Sequence, residues 1–446
     1  MNRPPLAARQ VLPRGAVPAA LAALAAAATV VAAVLFTDTG AGVPRAQAGP
    51  HAVARSHSAV PAVAGHWVGS WAAAPAGAEP ATDVRGMAGR SVRNVVHTSI
   101  GGTNARIQLS NLFGRRPLTI GHASLALAAS PGSPAAAPGT LRRLAFGGRE
   151  QVTIPAGQAV VSDPVRLDVP RAADVLVSTY SRTPSGPVTF HPHARQTSWL
   201  ASGDHTQDAG GAAYAERTPY WRYVTALDVW STGTRGAVVA LGDSITDGVT
   251  ATFGADHRWT DVLAGQLPDY GVLNEGISGN RVLLGGMGGS AVDNPSALGR
   301  FDRDVLARTG VRAVVVELGI NDILRSPQQL DPARIVDGLR DLVRRAHVHG
   351  LRVIGSTLSP FGGHGGVGAE QERVRQGVNA AVRAGGVFDG VVDFDVVLRD
   401  PANPQRLLAA YDCGDHLHPN DAGYRAMAGA VDTGALTGWL SPLTRP

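Results

Sequence analysis

The chain has 446 residues, of which 44% are apolar and 17% are charged, and its formal net charge is +5. This length exceeds what one hydrophobic core usually serves, so we expect two domains, and the apolar fraction argues against a disordered chain. A single cysteine, Cys413, excludes an intrachain disulfide and any metal site built from several cysteines.

The first 48 residues have the features of an export signal. Residues 1–15 carry three arginines and no acidic residue, and an uninterrupted apolar run follows over residues 16–36. Ala46-Gln47-Ala48 then matches the small-x-small pattern of a signal-peptidase site. We predict a cleaved signal peptide over 1–48 and a secreted protein without a stable membrane partner. The alternative is a retained anchor, because a run of this length can cross a bilayer.

The charge that remains after cleavage excludes one class of partner. Removing residues 1–48 takes away four arginines and one aspartate, which leaves a net charge of about +2. A nearly neutral chain without basic runs is not typical of a nucleic-acid-binding protein, so we predict no nucleic-acid partner. Residues 49–66 have no clear period and are predicted to form a linker.

Residues 67–232 have the pattern of short strands separated by turns. Several segments alternate polar and apolar residues, as over 106–110, which suits antiparallel strands buried on one face. No long helical pattern interrupts them, so we predict an all-β, sandwich-like accessory domain. The predicted strands are 91–100, 106–112, 118–127, 151–161 and 174–180.

From residue 233 onward, apolar runs alternate with helix-period segments, a pattern typical of parallel strands with helical crossovers. We therefore predict a three-layer α/β domain over 233–446 with a five-stranded parallel sheet, and Asp421 is the candidate cap of its last helix. Such sheets place their chemistry at the carboxyl ends of the strands. The predicted strands are 237–241, 272–273, 313–318, 351–357 and 390–394, and the predicted helices are 259–267, 332–348, 369–384 and 422–431.

The first of these strands ends in Gly242-Asp243-Ser244. A serine in a tight turn between a strand and a helix can present its hydroxyl in a cleft, close to N–H groups that stabilise an anion. The motif is not Gly-x-Ser-x-Gly, so the turn differs from the nucleophile elbow of α/β-hydrolases. Taken alone, Ser244 is either a nucleophile or a residue that caps the helix.

The second and third strands end in segments that can donate hydrogen bonds. Residues 274–280 include glycines, which let the backbone approach a ligand and supply an N–H. Asn321 follows the third strand, where its side-chain amide can donate to a developing oxyanion. Each segment on its own is also consistent with an ordinary turn.

Asp415 and His418 form the last candidate pair. An aspartate three residues before a histidine can reach the imidazole Nδ1 when the intervening backbone turns. The Nε2 atom is then left to take a proton from a serine. On its own, an Asp–His pair of this kind is usually exposed polar surface.

Together the four segments resemble those of the SGNH hydrolases, also called the GDSL lipase/esterase family, in their order and in their placement at strand ends. The resemblance covers residues 236–435 and implies a flavodoxin-like α/β domain. The preceding β-rich domain, which begins with residues 67–71, is similar to that of secreted two-domain bacterial acylhydrolases. Ile245 stands where the family's nickname expects leucine, and it keeps an apolar side chain there.

The resemblance also implies a role for individual residues. It implies hydrolysis through a serine nucleophile, and it implies neither a cofactor nor a metal ion. The implied catalytic triad is Ser244, His418 and Asp415, and the implied oxyanion hole consists of the Ser244 backbone N–H, Gly279 and Asn321.

Two histidines outside these segments have the spacing of metal ligands. His191 and His193 could lie on the same side of an extended segment. No third ligand is evident, so we interpret them as a solvent-exposed strand end. The cluster around His416, with Asp412 and Cys413, also resembles a zinc site, but the acyl-transfer interpretation accounts better for this region.

The sequence therefore predicts a secreted serine hydrolase that cleaves short-acyl, aryl or acetylated carbohydrate esters, on a small molecule or a polysaccharide. Two alternatives stay open: a lipase acting on longer chains, and a non-catalytic carbohydrate-binding or surface protein on a hydrolase scaffold. Aromatic residues make up only 5% of the chain and no long apolar lid is apparent, which disfavours a lipase. The β-rich domain is a candidate for carbohydrate contact.

Overall fold

The computed structural model describes residues 65–286 and 294–438. The predicted signal peptide over 1–48 lies outside these ranges, as does all but the end of the predicted linker over 49–66. Within the described ranges, no helix is both long enough and apolar enough to cross a membrane.

The first half of the described chain consists of strands and turns, as predicted. In chain order the strands are β1 His66–Ala72, β2 Gly77–Ala78, β3 Arg90–His97, β4 Gly102–Ser110, β5 Leu118–Ile120, β6 His122–Leu127, β7 Arg142–Arg143, β8 Val152–Ile154, β9 Ala159–Val161, β10 Val165–Val169, β11 Asp174–Ser181, β12 Thr189–His191, β13 Ser198–Ser202, β14 Glu216–Thr218, β15 Trp221–Arg222 and β16 Val224–Ser231.

Most of these strands belong to two antiparallel sheets. One has the order β1-β16-β4-β10, with β9 also paired to β4, and the other has the order β14-β13-β3-β11-β6-β7. In β4, Ala105, Ile107 and Leu109 are buried, while the residues between them are partly exposed. This alternation is the one that predicted antiparallel strands, and the β-rich fold is confirmed.

Two of the predicted strands are each divided in the structure. The segment 118–127 breaks at Gly121, whose N–H donates to the carbonyl of Tyr180 over 2.8 Å. The segment 151–161 breaks at a turn in which the N–H of Gln158 donates to the carbonyl of Pro155, and Gly157 has a φ of 77°. A glycine in the left-handed region at the third position of a turn that begins with proline favours a turn over a continuous strand.

The second half alternates strands and helices. Its elements are β17 Gly236–Gly242, α1 Ser244–Asp247, α2 Trp259–Gln266, β18 Tyr270–Gly276, α3 Ala297–Phe301, a π-helical turn Asp302–Leu306, β19 Val311–Glu317, α4 Ile320–Leu324, α5 Pro332–Val348, β20 Arg352–Ser356, α6 Ala369–Arg383, β21 Gly390–Val392, α7 Phe394–Leu398, β22 Arg399–Asp400, β23 Asn403–Leu407, α8 Asp421–Ala430 and α9 Thr433–Thr437.

Five of these strands form a parallel sheet in the order β18-β17-β19-β20-β21. This is the flavodoxin-like order 2-1-3-4-5, so the predicted α/β fold with a five-stranded parallel sheet is confirmed. All seven residues of β17, an interior strand of the sheet, are buried, as expected for a strand covered on both faces.

The cap of α8 differs from the prediction. Asn420, not Asp421, precedes the helix, and its side chain accepts hydrogen bonds from the N–H groups of Ala422 and Gly423. Asp421 is the first helical residue, and its carboxylate instead lies 2.7 Å from Nδ1 of His257. Asn and Asp are both good N-caps, so the sequence alone did not separate them.

The β-rich part and the α/β part share one hydrophobic core. Strand β1 crosses so close to β18 that a Cβ on Gly271 would lie 2.0 Å from the carbonyl oxygen of Gly69. Val68, Ile100 and Leu273 are at most 1% exposed at this contact. Burying such a side chain stabilises the fold by roughly 1.5–3 kcal/mol, so the two parts support each other. The predicted domain boundary falls between β16 and β17.

Candidate active site

Ser244 is the first residue of α1, directly after the turn that follows β17. A Cβ on Gly242 would lie 2.0 Å from Oγ1 of Thr246, so the tight turn requires glycine there. The carboxylate of Asp243 caps the helix by accepting the N–H of Ile245 over 3.0 Å. The alternative that Ser244 is the capping residue is therefore wrong, and its hydroxyl bonds elsewhere.

The Ser244 hydroxyl meets His418. Its Oγ atom lies 2.8 Å from Nε2 of His418, although the two residues are 174 positions apart. On the other side of the ring, Nδ1 of His418 lies 2.6 Å from Oδ2 of Asp415. Because a carboxylate accepts hydrogen bonds, Nδ1 carries the proton, and Nε2 is free to accept from the serine.

The loop that holds Asp415 is folded around its carboxylate. Oδ1 accepts the backbone N–H groups of Leu417 and His418 over 2.9 and 2.8 Å. Burial raises the pKa of Asp415, but the hydrogen bonds from the His418 ring and from these N–H groups outweigh it, and the net pKa is lowered. Asp415 therefore stays ionised and holds the ring in one tautomer.

His416 has a separate partner. Its Nδ1 lies 2.6 Å from Oδ2 of Asp412, and its backbone has a φ of 63°. The two histidines of this loop thus belong to two different Asp–His pairs, and only His418 is hydrogen-bonded to Ser244.

Register brings the other two predicted residues to the same edge of the sheet. Gly242 at the end of β17 pairs with Gly276 of β18 and with Glu317 of β19. Gly279 follows β18 by three residues, and Asn321 follows β19 by four. The carboxyl ends of the three strands are therefore level, as predicted for a site at this edge.

Gly279 lies in a turn that closes with a 2.9 Å hydrogen bond from the N–H of Asn280 to the carbonyl of Ile277. Its φ of 77° is in the left-handed region, which a type II turn requires at its third position. In such a turn, the peptide between the second and third residues has a defined orientation. The direction of the Gly279 N–H is thus set by the turn.

Asn321 is buried in the first turn of α4, and both ends of its amide are engaged. Its Nδ2 donates to Oδ2 of Asp243 over 3.0 Å, and its Oδ1 accepts from Nε of Arg325 over 2.9 Å. These partners fix which end of the amide is nitrogen. Because Nδ2 carries two hydrogens, one N–H can still donate to a bound oxyanion.

Two buried carboxyls lie beneath these groups, and sequence reasoning assigned neither. Burial raises the pKa of Asp243 to about 7. Burial, together with the nearby charge of Asp243, also raises the pKa of Glu317, which accepts the Thr246 hydroxyl over 2.9 Å. A proton retained on these groups near neutral pH limits the negative charge next to the site.

Arg300 joins the strand ends and was also missed. Its guanidinium is fully buried and donates to the carbonyls of Gly242 and Glu275 and to Oδ1 of Asn280, over 2.7 to 2.9 Å. It therefore ties the turn before Ser244 to the turn that contains Gly279. The only signal in the sequence was an arginine in a short helix-like segment, which gives no hint of burial.

His191 is 4% exposed, so the prediction of a solvent-exposed strand end is wrong for this residue. Its Nδ1 lies 2.8 Å from the carbonyl oxygen of Ala74, and its Nε2 lies 3.0 Å from Oδ1 of Asp247. Burial lowers the pKa of His191, but the Asp247 carboxylate outweighs it and the net pKa is raised. Burial raises the pKa of Asp247, but His191 outweighs it and the net pKa is lowered. The two residues therefore form a buried ion pair.

This ion pair should make stability depend on pH. Because folding raises the pKa of His191, this residue stabilises the fold below about pH 6.5, and the contribution is lost as the pH rises through the raised pKa. Because folding lowers the pKa of Asp247, this residue stabilises the fold above about pH 3.9, and the contribution is lost as the pH falls through the lowered pKa. The other charged or titratable groups that act on one or both members of the pair are Arg258, His193, Arg195 and Tyr424. We expect the melting temperature of the natural chain to exceed that of His191→Gln most between about pH 4 and 6.5. Calorimetry across pH 4 to 9 measures this, and a constant difference would contradict the ion pair.

Two groups of described residues have side-chain atoms close enough to share a metal ion. The first group is His97, Asp174 and Asp256, and the second is Asp412, Cys413 and Asp415. In the first, Nδ1 of His97 lies 2.9 Å from Asp174 and 3.3 Å from Asp256, which suits a protonated ring between two carboxylates. In the second, the carboxylates already accept from His416 and His418. Hydrogen bonds thus account for both arrangements.

A protein-family model matches the part of the chain that contains these residues. The model of the GDSL-like lipase/acylhydrolase family matches residues 240–426, which include all the predicted site residues. None of the curated proteins compared with the chain matches it.

Three solved structures are among those to which the chain is similar. A member of the lipolytic protein G-D-S-L family from Veillonella parvula is 19% identical, with 44% of this chain and 94% of that chain covered and a TM-score of 0.34. A carbohydrate acetylesterase family member from Sinorhizobium meliloti is 18% identical, covering 45% and 99%, with a TM-score of 0.37. A carbohydrate esterase family 2 enzyme with a carbohydrate binding domain, from Corynascus thermopiles (Myceliophthora fergusii), is 17% identical, covering 84% and 100%, with a TM-score of 0.37.

Identities and TM-scores this low do not specify a substrate, so the assignment rests on the family model. Residues 240–426 therefore form a GDSL-like lipase/acylhydrolase domain of the SGNH hydrolase type, which indicates a carboxylic ester hydrolase.

Proposed function

We propose that the protein hydrolyses esters through an acyl-enzyme on Ser244. The observation that carries the proposal is the chain of hydrogen bonds from Ser244 Oγ through the His418 ring to Asp415, with lengths of 2.8 and 2.6 Å. This is the arrangement that a serine needs to become a nucleophile at neutral pH.

The reaction then takes two steps. Ser244 Oγ attacks the ester carbonyl carbon while Nε2 of His418 takes the hydroxyl proton. The tetrahedral intermediate collapses, and His418 gives the proton to the leaving alcohol, so that the acyl group stays on Ser244. A water molecule, deprotonated by His418, attacks the acyl-enzyme. The bond from the acyl carbon to Ser244 Oγ then breaks, His418 returns the proton to Oγ, and the acid is released.

The negative charge of the tetrahedral intermediate is stabilised by three donors. They are the backbone N–H of Ser244, the N–H of Gly279 and the second N–H of the Asn321 amide. The left-handed turn at Gly279 and the two hydrogen bonds on Asn321 support these roles, because donors that are held in place need no reorganisation during the reaction.

Asn321→Ala should lower kcat by roughly 10²–10³-fold with little change in KM, since its amide acts on charge that develops only in the transition state. The variant also frees the Asp243 carboxylate, so its melting temperature should be measured beside its kinetics. An effect confined to KM would show instead that Asn321 only binds substrate.

The substrates we propose are short-acyl, aryl or acetylated carbohydrate esters. Turnover of p-nitrophenyl esters from C2 to C16, together with acetyl release from acetylated xylan, tests this choice. We expect the highest kcat/KM for esters whose acyl chains have two to four carbons. A maximum at C10 or longer would favour a lipase, and acetyl release from xylan would identify the carbohydrate ester.

We also propose that the protein is secreted after cleavage behind Ala48. The N-terminal sequence of protein from the culture medium should then begin at Gly49. Recovery of an uncleaved chain in the membrane fraction would contradict cleavage and would favour the retained anchor.

A further inference from the structure

The β-rich part of the chain reaches the active-site edge of the α/β sheet at a buried contact between His191 and Asp247. His191 is the last residue of β12, which pairs with β15 and β2. Its ring bridges the carbonyl of Ala74, also in the β-rich part, and the Asp247 carboxylate at the end of the helix that begins with Ser244. Both nitrogens face acceptors, so both donate, and the ring has one orientation.

Asp247 uses its second oxygen to hold the turn that contains Gly279. Its Oδ2 accepts the backbone N–H of Ser278 over 3.0 Å and the Ser278 hydroxyl over 2.6 Å. Ser278 directly precedes Gly279 and is the second residue of the turn closed between Ile277 and Asn280. The orientation of the peptide between Ser278 and Gly279 therefore depends on a turn that Asp247 holds at two points.

The backbone allows Asp247 to approach this turn closely. A Cβ on Gly276 would lie 2.2 Å from the backbone nitrogen of Asp247, so α1 contacts the end of β18 directly. Asp247 is 2% exposed and His191 is 4% exposed, so water does not compete for these hydrogen bonds. In such surroundings, an unpaired carboxylate would lower the free energy of unfolding and would form hydrogen bonds with other donors.

We propose that His191 is a positioning residue for ester hydrolysis, acting through Asp247 and Ser278 on the turn that presents the Gly279 N–H to the oxyanion. The inference rests on the proposed function of this site. It makes the β-rich part a component of the catalytic apparatus, in addition to any binding role. A donor displaced by as little as 1 Å can cost about 100-fold in rate, so the contact has a measurable consequence.

The test compares His191→Gln and Asp247→Asn with the control His349→Gln, which changes an exposed histidine just after α5, all in the full chain. Titration of the active sites with an activated organophosphonate gives the concentration of competent enzyme. The turnover of p-nitrophenyl acetate is then divided by this concentration, which gives kcat per titrated site. We expect kcat per site to fall roughly 10- to 100-fold in the first two variants, with KM within about threefold, and to stay within about twofold in His349→Gln. A role in stability alone would lower the number of titrated sites and the melting temperature, but not kcat per site.

A double variant shows whether the two residues act along one path. His191→Gln combined with Asp247→Asn should be little worse than the more damaging single change, because both break the same connection. Multiplicative losses, or an unchanged kcat per site in both single variants, would overturn the inference. If His191→Gln does not fold, Asp247→Asn and Ser278→Ala decide it, since both leave the β-rich part intact.

These outcomes are separate from those that test the proposed function. If Ser244→Ala keeps its activity, the acyl-enzyme proposal fails whatever the His191 variants do. If Ser244→Ala is inactive and kcat per site is unchanged in His191→Gln and Asp247→Asn, only the positioning role fails.

Discussion

Replacing Ser244 with alanine should abolish ester hydrolysis, with a fall in kcat of roughly 10⁴–10⁶-fold, while the protein keeps its fold. The hydroxyl oxygen is the atom that attacks, and it is hydrogen-bonded to Nε2 of His418. The helix start does not depend on this side chain, because Asp243 provides the cap. Turnover of p-nitrophenyl acetate and the melting temperature, measured on the same preparation, test both halves of the prediction.

Ser133→Ala is the matched control, because it removes a hydroxyl that accepts a hydrogen bond from Ala135 in a surface turn of the β-rich part. It should keep full activity. Retention of a tenth of the natural turnover by Ser244→Ala would rule out Ser244 as the nucleophile.

His418→Ala should be nearly as inactive as Ser244→Ala, whereas His416→Ala should keep most of its activity. Only His418 has one nitrogen on the serine hydroxyl and the other on a carboxylate. His416 pairs with Asp412 instead, so its loss affects the shape of the loop more than the chemistry. The measurement is kcat/KM for the two variants side by side, with and without EDTA.

Two results would contradict this assignment. One is an inactive His416→Ala beside an active His418→Ala. The other is inactivation by EDTA with recovery on adding zinc, which would point to the neighbouring Asp412, Cys413 and Asp415 as ligands.

Local patterns were enough to predict the α/β fold. Helix α5 runs from Pro332 to Val348, as predicted, because Asp331 caps it, proline suits its first turn and one face is apolar. The fully apolar runs indicated buried parallel strands, and the order of strands and helices then restricted the topology. The positions of Ser244, Gly279 and Asn321 at strand ends followed from that topology.

The groups that support the site could not be predicted in this way. Arg300 and His191 contact residues that are far away in the sequence, and both are polar side chains in segments that look exposed. The burial of His191 depends on how the β-rich part packs against the α/β part, and that of Arg300 depends on how the ends of β17 and β18 meet. Periodicity describes neither. His191 was misread because His-Pro-His suggests an exposed end, while the structure places the first ring against Asp247.

The shared core also changes the expectation for the β-rich part. Val68 and Ile100 are buried against the α/β part, so residues 67–232 alone would expose an apolar surface. A test of carbohydrate binding is therefore better made with the full chain carrying Ser244→Ala than with this part alone.

The most direct test of the acyl-enzyme mechanism is to trap the intermediate. Enzyme mixed with excess p-nitrophenyl acetate and quenched with acid within its first turnovers should carry one acetyl group, and peptide mass mapping should place it on Ser244. When deacylation is slow, we expect a burst of p-nitrophenol that matches the enzyme concentration. Ser244→Ala should show neither the burst nor the bound acetyl group. An acetyl group on a different residue in active enzyme, or the same acetyl group on Ser244→Ala, would contradict the mechanism.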